Sequence, residues 1–394
     1  MPATLPHWFA ARLDETLAGL DAAGRRRRLR AIAVPGARLV LADGRQLIDA
    51  SSNDYLGLSQ HPALKSRATL WIERFGAGSR ASRLVTGTLE ATLELEARLA
   101  EFKGTEAALI FNAGFQVNAV VLPALFALAG GSEARVFTDR LNHASLHARC
   151  AAAGVRELRF QHNDLAHLDA LLAQHARGQP AFIVTESVFS MDGDRADVAA
   201  LAALAMRHDA LLFLDEAHAS GVLGTQGRGL GHGLPNTVLM GTLGKAFGAA
   251  GAYVAGSRAL IDYLVNRASG FVYSTAPAPA VLGAVEAALE LMPRLDAERA
   301  LLARRGERLR GRLQALGIDT LASSTQIVPA VMGSEAAALA AQQALEAQGV
   351  LAVAIRPPTV PGGTSRLRFS LSSALSAADF ERLLEACGVL GNAP

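Results

Sequence analysis

Short runs of almost wholly apolar residues alternate with longer alanine-rich stretches through the middle of the chain. The runs cover 108–111, 135–138, 181–186, 211–215 and 237–241. Strands that are apolar throughout, with helices between them, predict a mostly parallel sheet buried on both faces. Helical spacing predicts helices over 88–102, 113–127 and 198–208. The segment 251–256 follows too soon after 245 for a helical crossover, so it reads as an antiparallel strand. After Ser274-Thr275-Ala276-Pro277 the pattern changes. A long helical region spans 279–316, and shorter strands follow at 326–332, 350–354 and 366–371 with a helix between the first two. The expected organisation is an N-terminal helix and short strand segment (1–50), a large α/β domain (51–280) and a smaller α+β domain (281–394).

Composition narrows the class. A chain of 394 residues holds two domains and a large core. Hydrophobic residues make up 51%, yet the longest apolar stretch, 119–129, contains Pro123 and is too short to span a bilayer. Residues Met1 to Leu20 include Asp14 and Glu15 and lack an apolar signal core, so no secretion signal is expected. A net charge of +2 argues against a dedicated nucleic-acid binder. The run Arg25-Arg26-Arg27-Arg28 reads as the solvated end of a helix that begins near Pro6. Cys150 and Cys387 are far apart and match no metal or redox spacing. A reduced, cytoplasmic enzyme without a metal is the default.

Candidate chemistry starts from a scarcity. The chain has three lysines against thirty-five arginines. A position that keeps lysine then points to a primary amine that can lose its proton and attack a carbonyl. Lys65 and Lys103 lie in polar helical contexts and read as surface charges. Lys245 lies where the run 237–241 enters a Gly-rich loop, Thr242-Leu243-Gly244-Lys245. Other special residues collect at predicted strand ends, where open α/β sheets bind ligands. They are Asp215 and His218 after 211–215, Ser190 after 181–186, His143 after 135–138, and Gly114-Phe115 after 108–111. Singly, each is as well explained by a turn, a cap or an ordinary histidine. Together they suit pyridoxal phosphate. Lys245 would join the cofactor aldehyde, Asp215 would hold the protonated pyridine nitrogen, and His218 would bond the phenolic oxygen. Gly114, Phe115 and Thr242 would take the phosphate, and His143 would cover the ring. The loop 241–246 lacks the glycine spacing and the hydroxyl of a P-loop, and Gly229-Leu230-Gly231-His232-Gly233 follows no strand, so neither is a nucleotide fingerprint.

Five stretches together resemble the α-oxoamine synthases, pyridoxal-phosphate enzymes of fold type I. They are 51–58 (Ser-Ser-Asn-Asp-Tyr-Leu-Gly-Leu), 139–143, 187–194, 215–221 and 242–245. The resemblance runs from about Arg25 to the C-terminus. It implies a mostly parallel seven-stranded sheet in the large domain and a homodimer with active sites at the subunit interface. Members condense an amino acid with an acyl thioester and lose carbon dioxide. The stretch Ile355-Arg356-Pro357-Pro358-Thr359-Val360-Pro361 is similar to that of the member that uses L-alanine and a pimeloyl thioester, carried on coenzyme A or an acyl carrier protein. Relatives with other substrates usually lack an arginine before this proline pair.

By the same resemblance Arg356 holds a substrate carboxylate and Thr359 contacts substrate. Arg27 reaches the acyl substrate, and Asn53 lies near the amino-acid site. Ser190 joins His218 on the phenolic oxygen, and Ser274 or Thr275 reaches the phosphate of the partner subunit's cofactor. Lys245 would serve as the base at the alanine Cα. The nearest alternatives are a sister enzyme using glycine and acetyl-CoA, and an aminotransferase with the same cofactor site. Two positions depart from the pattern. Arg80 and Ala81 stand where small residues, often glycines, are expected, and Thr92 stands where histidine is common. A left-handed glycine is not cheaply replaced by arginine, which leaves the backbone conformation at Arg80 open.

Overall fold

The computed structural model describes residues 5–176 and 178–392; the first four residues of the N-terminal segment and the last two of the C-terminal one lie outside it. Three sheets organise the chain. A small one begins with β1 (Ile32–Val34), β2 (Arg38–Leu41) and β3 (Gln46–Asp49). The central sheet holds β4 (Ala107–Phe111), β5 (Arg135–Asp139), β6 (Arg156–Phe160), β7 (Ala181–Glu186), β8 (Ala210–Asp215), β9 (Thr237–Thr242) and β10 (Ala252–Gly256). The C-terminal part adds β11 (Ile327–Gly333), β12 (Val350–Leu351), β13 (Val353–Ile355) and β14 (Ser365–Ser370).

The central sheet runs β4-β10-β9-β8-β7-β5-β6. Strands β5 to β9 pair in parallel, and only β10 is reversed, against both β4 and β9. The strands are apolar throughout because both faces are covered. Ile183, Leu212, Leu214 and Leu239 enter one core, whereas Phe182, Val184, Phe213, Val238 and Met240 enter the other. Pairing in register, Glu186 with Asp215 and Asp215 with Met240, brings the C-terminal strand ends level along one edge.

Three elements differ from the sequence-based expectation. The helical region 279–316 is two helices, Pro279–Leu291 and Asp296–Ala315, joined by a 3₁₀ turn. Pro293 lies in that turn, and its missing N–H and its ring interrupt the helix. The expected strand 350–354 is split between two sheets. Strand β12 pairs in parallel with β3, and β13 pairs antiparallel with β14. The arginine run does not end a helix, because the first helix, His7–Ala22, stops before it. The arginines lie beyond it, where Arg25 pairs with Glu335, Arg26 with Asp21 and Arg30 with Glu346. The remaining sheet is β11-β14-β13. No described helix is long and apolar enough to cross a membrane.

The structure fixes the backbone at Arg80, which the sequence left open. Arg80 adopts φ 62°, the left-handed conformation, on an exposed loop. The loop keeps the backbone a glycine would have and carries roughly 1 kcal/mol of strain for it. Thr92 is buried, and its hydroxyl has no partner in the structure.

Candidate active site

A cavity of about 200 Å³ opens at the level edge of the central sheet. Its walls come from successive strand ends and the loops after them: Gly114, Phe115 and Asn118 after β4, His143 and Ser145 after β5, and Glu186 at the end of β7. Asp215, Ala217 and His218 come from the end of β8, and Met240, Thr242 and Lys245 from β9 and its loop. Helix Gly114–Leu128 starts at the cavity, and no side chain caps its N-terminus. Its first N–H groups and the positive end of its dipole are therefore open to an anion. A Cβ on Gly114 would come within 3.0 Å of Met240 Cε, so a larger residue there would displace the end of that side chain at the cavity wall.

Two hydrogen-bonded chains organise the polar walls. In the first, Tyr55 hydroxyl lies 2.6 Å from His218 Nδ1, and His218 Nε2 lies 2.7 Å from Lys245 Nζ. Burial pushes the Lys245 amine down to about 8; the Asp215 carboxylate opposes that fall, and the Arg368 charge adds to it. Burial, then the charges of Lys245 and Arg368, also hold His218 well below its usual range. In the second chain, His143 Nδ1 accepts from the Ser145 backbone N–H at 3.3 Å and meets Ser145 Oγ at 2.7 Å. Asn118 Nδ2 donates to Ser145 Oγ at 3.0 Å and to Asp215 Oδ2 at 3.1 Å. Asp215 Oδ1 accepts from the Ala217 N–H at 2.9 Å. An accepting Nδ1 carries no proton, so the ring proton of neutral His143 sits on Nε2. Burial is also the main reason its pKa is lowered.

The loops behind the cavity are clamped from two sides. His162 bridges Asp139 at 3.0 Å and Asp194 at 2.8 Å, which ties the loop after β5 to the loop after β7. From β14, Arg366 pairs with Asp192 at 2.7 Å, and Arg368 Nε donates to the Ser190 carbonyl at 2.6 Å. Arg368 also reaches Asn53 Oδ1 at 3.2 Å and the Tyr55 hydroxyl at 3.5 Å.

The family model for class I and II aminotransferases matches residues 45–387. The chain belongs to this family. It is 63% identical over 366 residues to a putative 8-amino-7-oxononanoate synthase of Bordetella bronchiseptica, covering 92% of each chain. It is 57% identical over 384 residues to the 8-amino-7-oxononanoate synthase of Gluconacetobacter diazotrophicus, covering 96% of each. Among solved structures it superposes on a serine palmitoyltransferase of S. paucimobilis in its PLP–myriocin complex. That match has a TM-score of 0.88 and 26% identity, and covers 99% of this chain and 100% of the other. The chain has the fold-type-I architecture and is a pyridoxal-phosphate-dependent acyltransferase. The cavity fits the family's cofactor. It offers an amine of lowered pKa, a buried carboxylate, an uncapped helix start for a phosphate, and a buried Asn118 Oδ1 with no protein partner.

Against this family site the expected residues fall into three groups. Gly114, Phe115, His143, Asp215, His218, Thr242 and Lys245 line the cavity together. Ser190 is buried behind it on Arg368, and Asn53 is one bond further out on the same arginine. Arg27, Arg356 and Thr359 form a separate cluster. Arg27 donates to Thr359 Oγ1 at 3.3 Å, and Arg356 donates to the Gly24 carbonyl. Ser274 Oγ accepts from Gln116 at 3.1 Å, and the Thr275 carbonyl accepts from Asn112 at 2.8 Å, both beside the helix start.

Sequence reasoning missed Asn118, Ser145, Glu186, Tyr55 and Arg368. Asn118 had a signal, as a lone buried polar residue on the apolar helix 114–128. Arg368 had one too, as a charge inside a strand buried at every position. The reading of Lys103 as a surface charge was wrong. Its side chain is fully buried against Glu216 at 2.6 Å, and the Arg228 carbonyl also accepts from its amine. The partner is 113 residues away, so the local polar context around Lys103 gave no hint of it.

Proposed function

We propose that the chain condenses L-alanine with a pimeloyl thioester, releasing carbon dioxide and free thiol, to give 8-amino-7-oxononanoate for biotin synthesis. The observation that carries this reading is the Lys245 amine, lowered to about 8 and sharing one cavity with Asp215, His143 and His218. The names of the relatives and the segment Ile355 to Pro361 support the choice of substrates. Pyridoxal phosphate, when bound, supplies the carbonyl for lysine and substrate amines and the sink for the electrons left at Cα.

The side chains do the rest. Lys245, with a pKa near 8, is deprotonated in part at neutral pH and takes the Cα proton of alanine as general base. Asp215, held by Asn118 and the Ala217 N–H, would face the ring nitrogen and pair with its proton. His143, with its proton on Nε2, would lie over the ring and offer a hydrogen bond to the carboxylate that is lost as carbon dioxide. His218, in the cavity wall, would serve the phenolic oxygen, with Ser190 behind it on Arg368. The N–H groups of Gly114 and Phe115, with Thr242, would hold the phosphate. Arg368 is the guanidinium whose charge reaches Lys245, so the alanine carboxylate sits there, beside Asn53. That leaves Arg356, with Arg27 and Thr359, for the distal carboxylate of the pimeloyl chain. The active unit is a cytoplasmic homodimer, and the thioester is carried on coenzyme A or an acyl carrier protein.

A thiol-release assay tests the substrates. Alanine with pimeloyl-CoA should release thiol, and glycine with acetyl-CoA should do so poorly. The reverse preference would leave the cofactor site intact and overturn the substrate reading. Borohydride reduction of the yellow holoenzyme should fix the cofactor to the peptide containing Lys245; label on Lys65 or Lys103 would remove the central assignment. The two arginines should separate kinetically. Arg368→Ala should raise KM for alanine by about 30-fold or more, the low end for truncating a buried charge pair. Arg356→Ala should act instead on KM for the thioester, by about tenfold because it is only half-buried.

A further inference from the structure

The cavity holds a second buried carboxyl that the reaction above does not use. Glu186 is 3% exposed at the end of β7. Its Cα is the cross-strand partner of Asp215 on β8, and parallel pairing puts both side chains on the same face. Both line the cavity. Yet their surroundings differ. Asp215 accepts from Asn118 and from the Ala217 N–H. Glu186 has one hydrogen bond among the described residues: it accepts from the His143 backbone N–H at 2.5 Å.

We propose that Glu186 is carried as a neutral carboxylic acid and is the positioning residue for His143, anchoring its backbone while the Ser145 side anchors its ring. Two adjacent buried carboxyls do not both ionise when only one has donors enough to hold the charge. The groups that face Glu186 settle which one takes the proton. Burial raises its pKa well above the ordinary range, and the charges of Asp215 and Asp139 add to the rise. The His143 N–H and the Lys245 amine oppose it and are outweighed. A neutral Glu186 has a functional consequence. The cavity must admit a phosphate and a substrate carboxylate, and a second fixed anion there would repel both. The neutral acid still accepts the His143 N–H through its carbonyl oxygen. His143 is thus held at two points, its N–H by Glu186 and its Nδ1 by Ser145, and its Nε2–H is aimed by both.

This inference rests on the reading of His143 as the residue over the cofactor, so the test has one arm that needs no cofactor. The infrared spectrum of the apoprotein at neutral pH should show a protonated-carboxyl C=O band that is lost in Glu186→Gln. A difference spectrum that shows only loss of ionised-carboxylate bands would overturn the proposal. In the second arm pyridoxal phosphate is titrated into each variant. Glu186→Gln, neutral and still an acceptor, should bind it within about twofold of wild type, and Glu186→Ala should bind about tenfold more weakly, as for one lost hydrogen bond. Equal losses in both variants would mean that the charge matters, and no loss in either would remove the positioning role. Circular dichroism of Glu186→Gln, a near-isosteric change, confirms that the comparison is made on folded protein. Failure of the wild type to bind pyridoxal phosphate would instead count against the cofactor site and leave the infrared result standing.

Discussion

Lys103 shows how much one side chain can carry without touching the cavity. Its ammonium is sealed among Glu216, the Arg228 carbonyl and the Ser220 hydroxyl. Burial opposes its charge, but Glu216 and Tyr253 outweigh that and keep its pKa raised. Glu216 follows Asp215 directly, and its other oxygen accepts from the Gly231 N–H at 2.8 Å. Lys103→Met leaves a buried carboxylate unpaired and should cost about 3–5 kcal/mol in urea unfolding. Lys103→Met combined with Glu216→Gln removes both charges and should recover a good part of that loss. An unfolding midpoint unchanged in Lys103→Met would mean that the amine sits in water after all. Single residues were legible where chemistry demanded a type at a strand end, as for Lys245 and Asp215. They were illegible where the reason is a distant partner, as for Lys103 and for Tyr55, whose hydroxyl meets His218 from far along the chain, or a network without a motif, as for Ser145.

At the scale of elements, the apolar runs that became β4, β5, β7, β8 and β9 were readable because burial on both faces removes polar positions from them. Strand β6, Arg-Glu-Leu-Arg-Phe, was not, since it lies at the sheet edge and is buried fully only at Phe160. The split at 350–354 was hidden because alternation shows that a segment is extended, not which sheet it joins. The loops after these strands depend on the His162 bridge. Burial works against the His162 charge, but Asp139 and Asp194 together raise its pKa to about 10. A pKa raised above the unfolded value of about 6.5 stabilises fully below that value, and the gain is lost as pH rises through the folded one. Stability should therefore fall between about pH 6.5 and pH 10. Urea midpoints measured across that range should fall in wild type and flatten in His162→Asn. Identical slopes in the two proteins would mean that the bridge contributes nothing to this pH dependence.

Across the whole molecule, several large apolar side chains stay in water around the helix start and the neighbouring loops. Phe115 is 56% exposed, Val85 73% and Tyr273 84%. A second copy covering this face fits the homodimer proposed above. Val85→Glu should then shift sedimentation toward monomer and weaken pyridoxal phosphate binding with it; a dimer that survives the change would place the interface elsewhere. Within the central sheet, the parallel pairing of β5, β7, β8 and β9 and the reversal of β10 followed from strand type and connection length. The joining of chain start to chain end did not, since nothing in Gln46–Asp49 names Val350–Leu351 as its neighbour. That pairing has a consequence during translation. The Ser51 hydroxyl finds its acceptor, the Leu351 carbonyl, 300 residues further on. At about 5–20 residues per second, the nascent β1–β3 segment waits on the order of tens of seconds for its neighbouring strand to leave the ribosome. Through that interval its free edge is open to any other extended chain nearby.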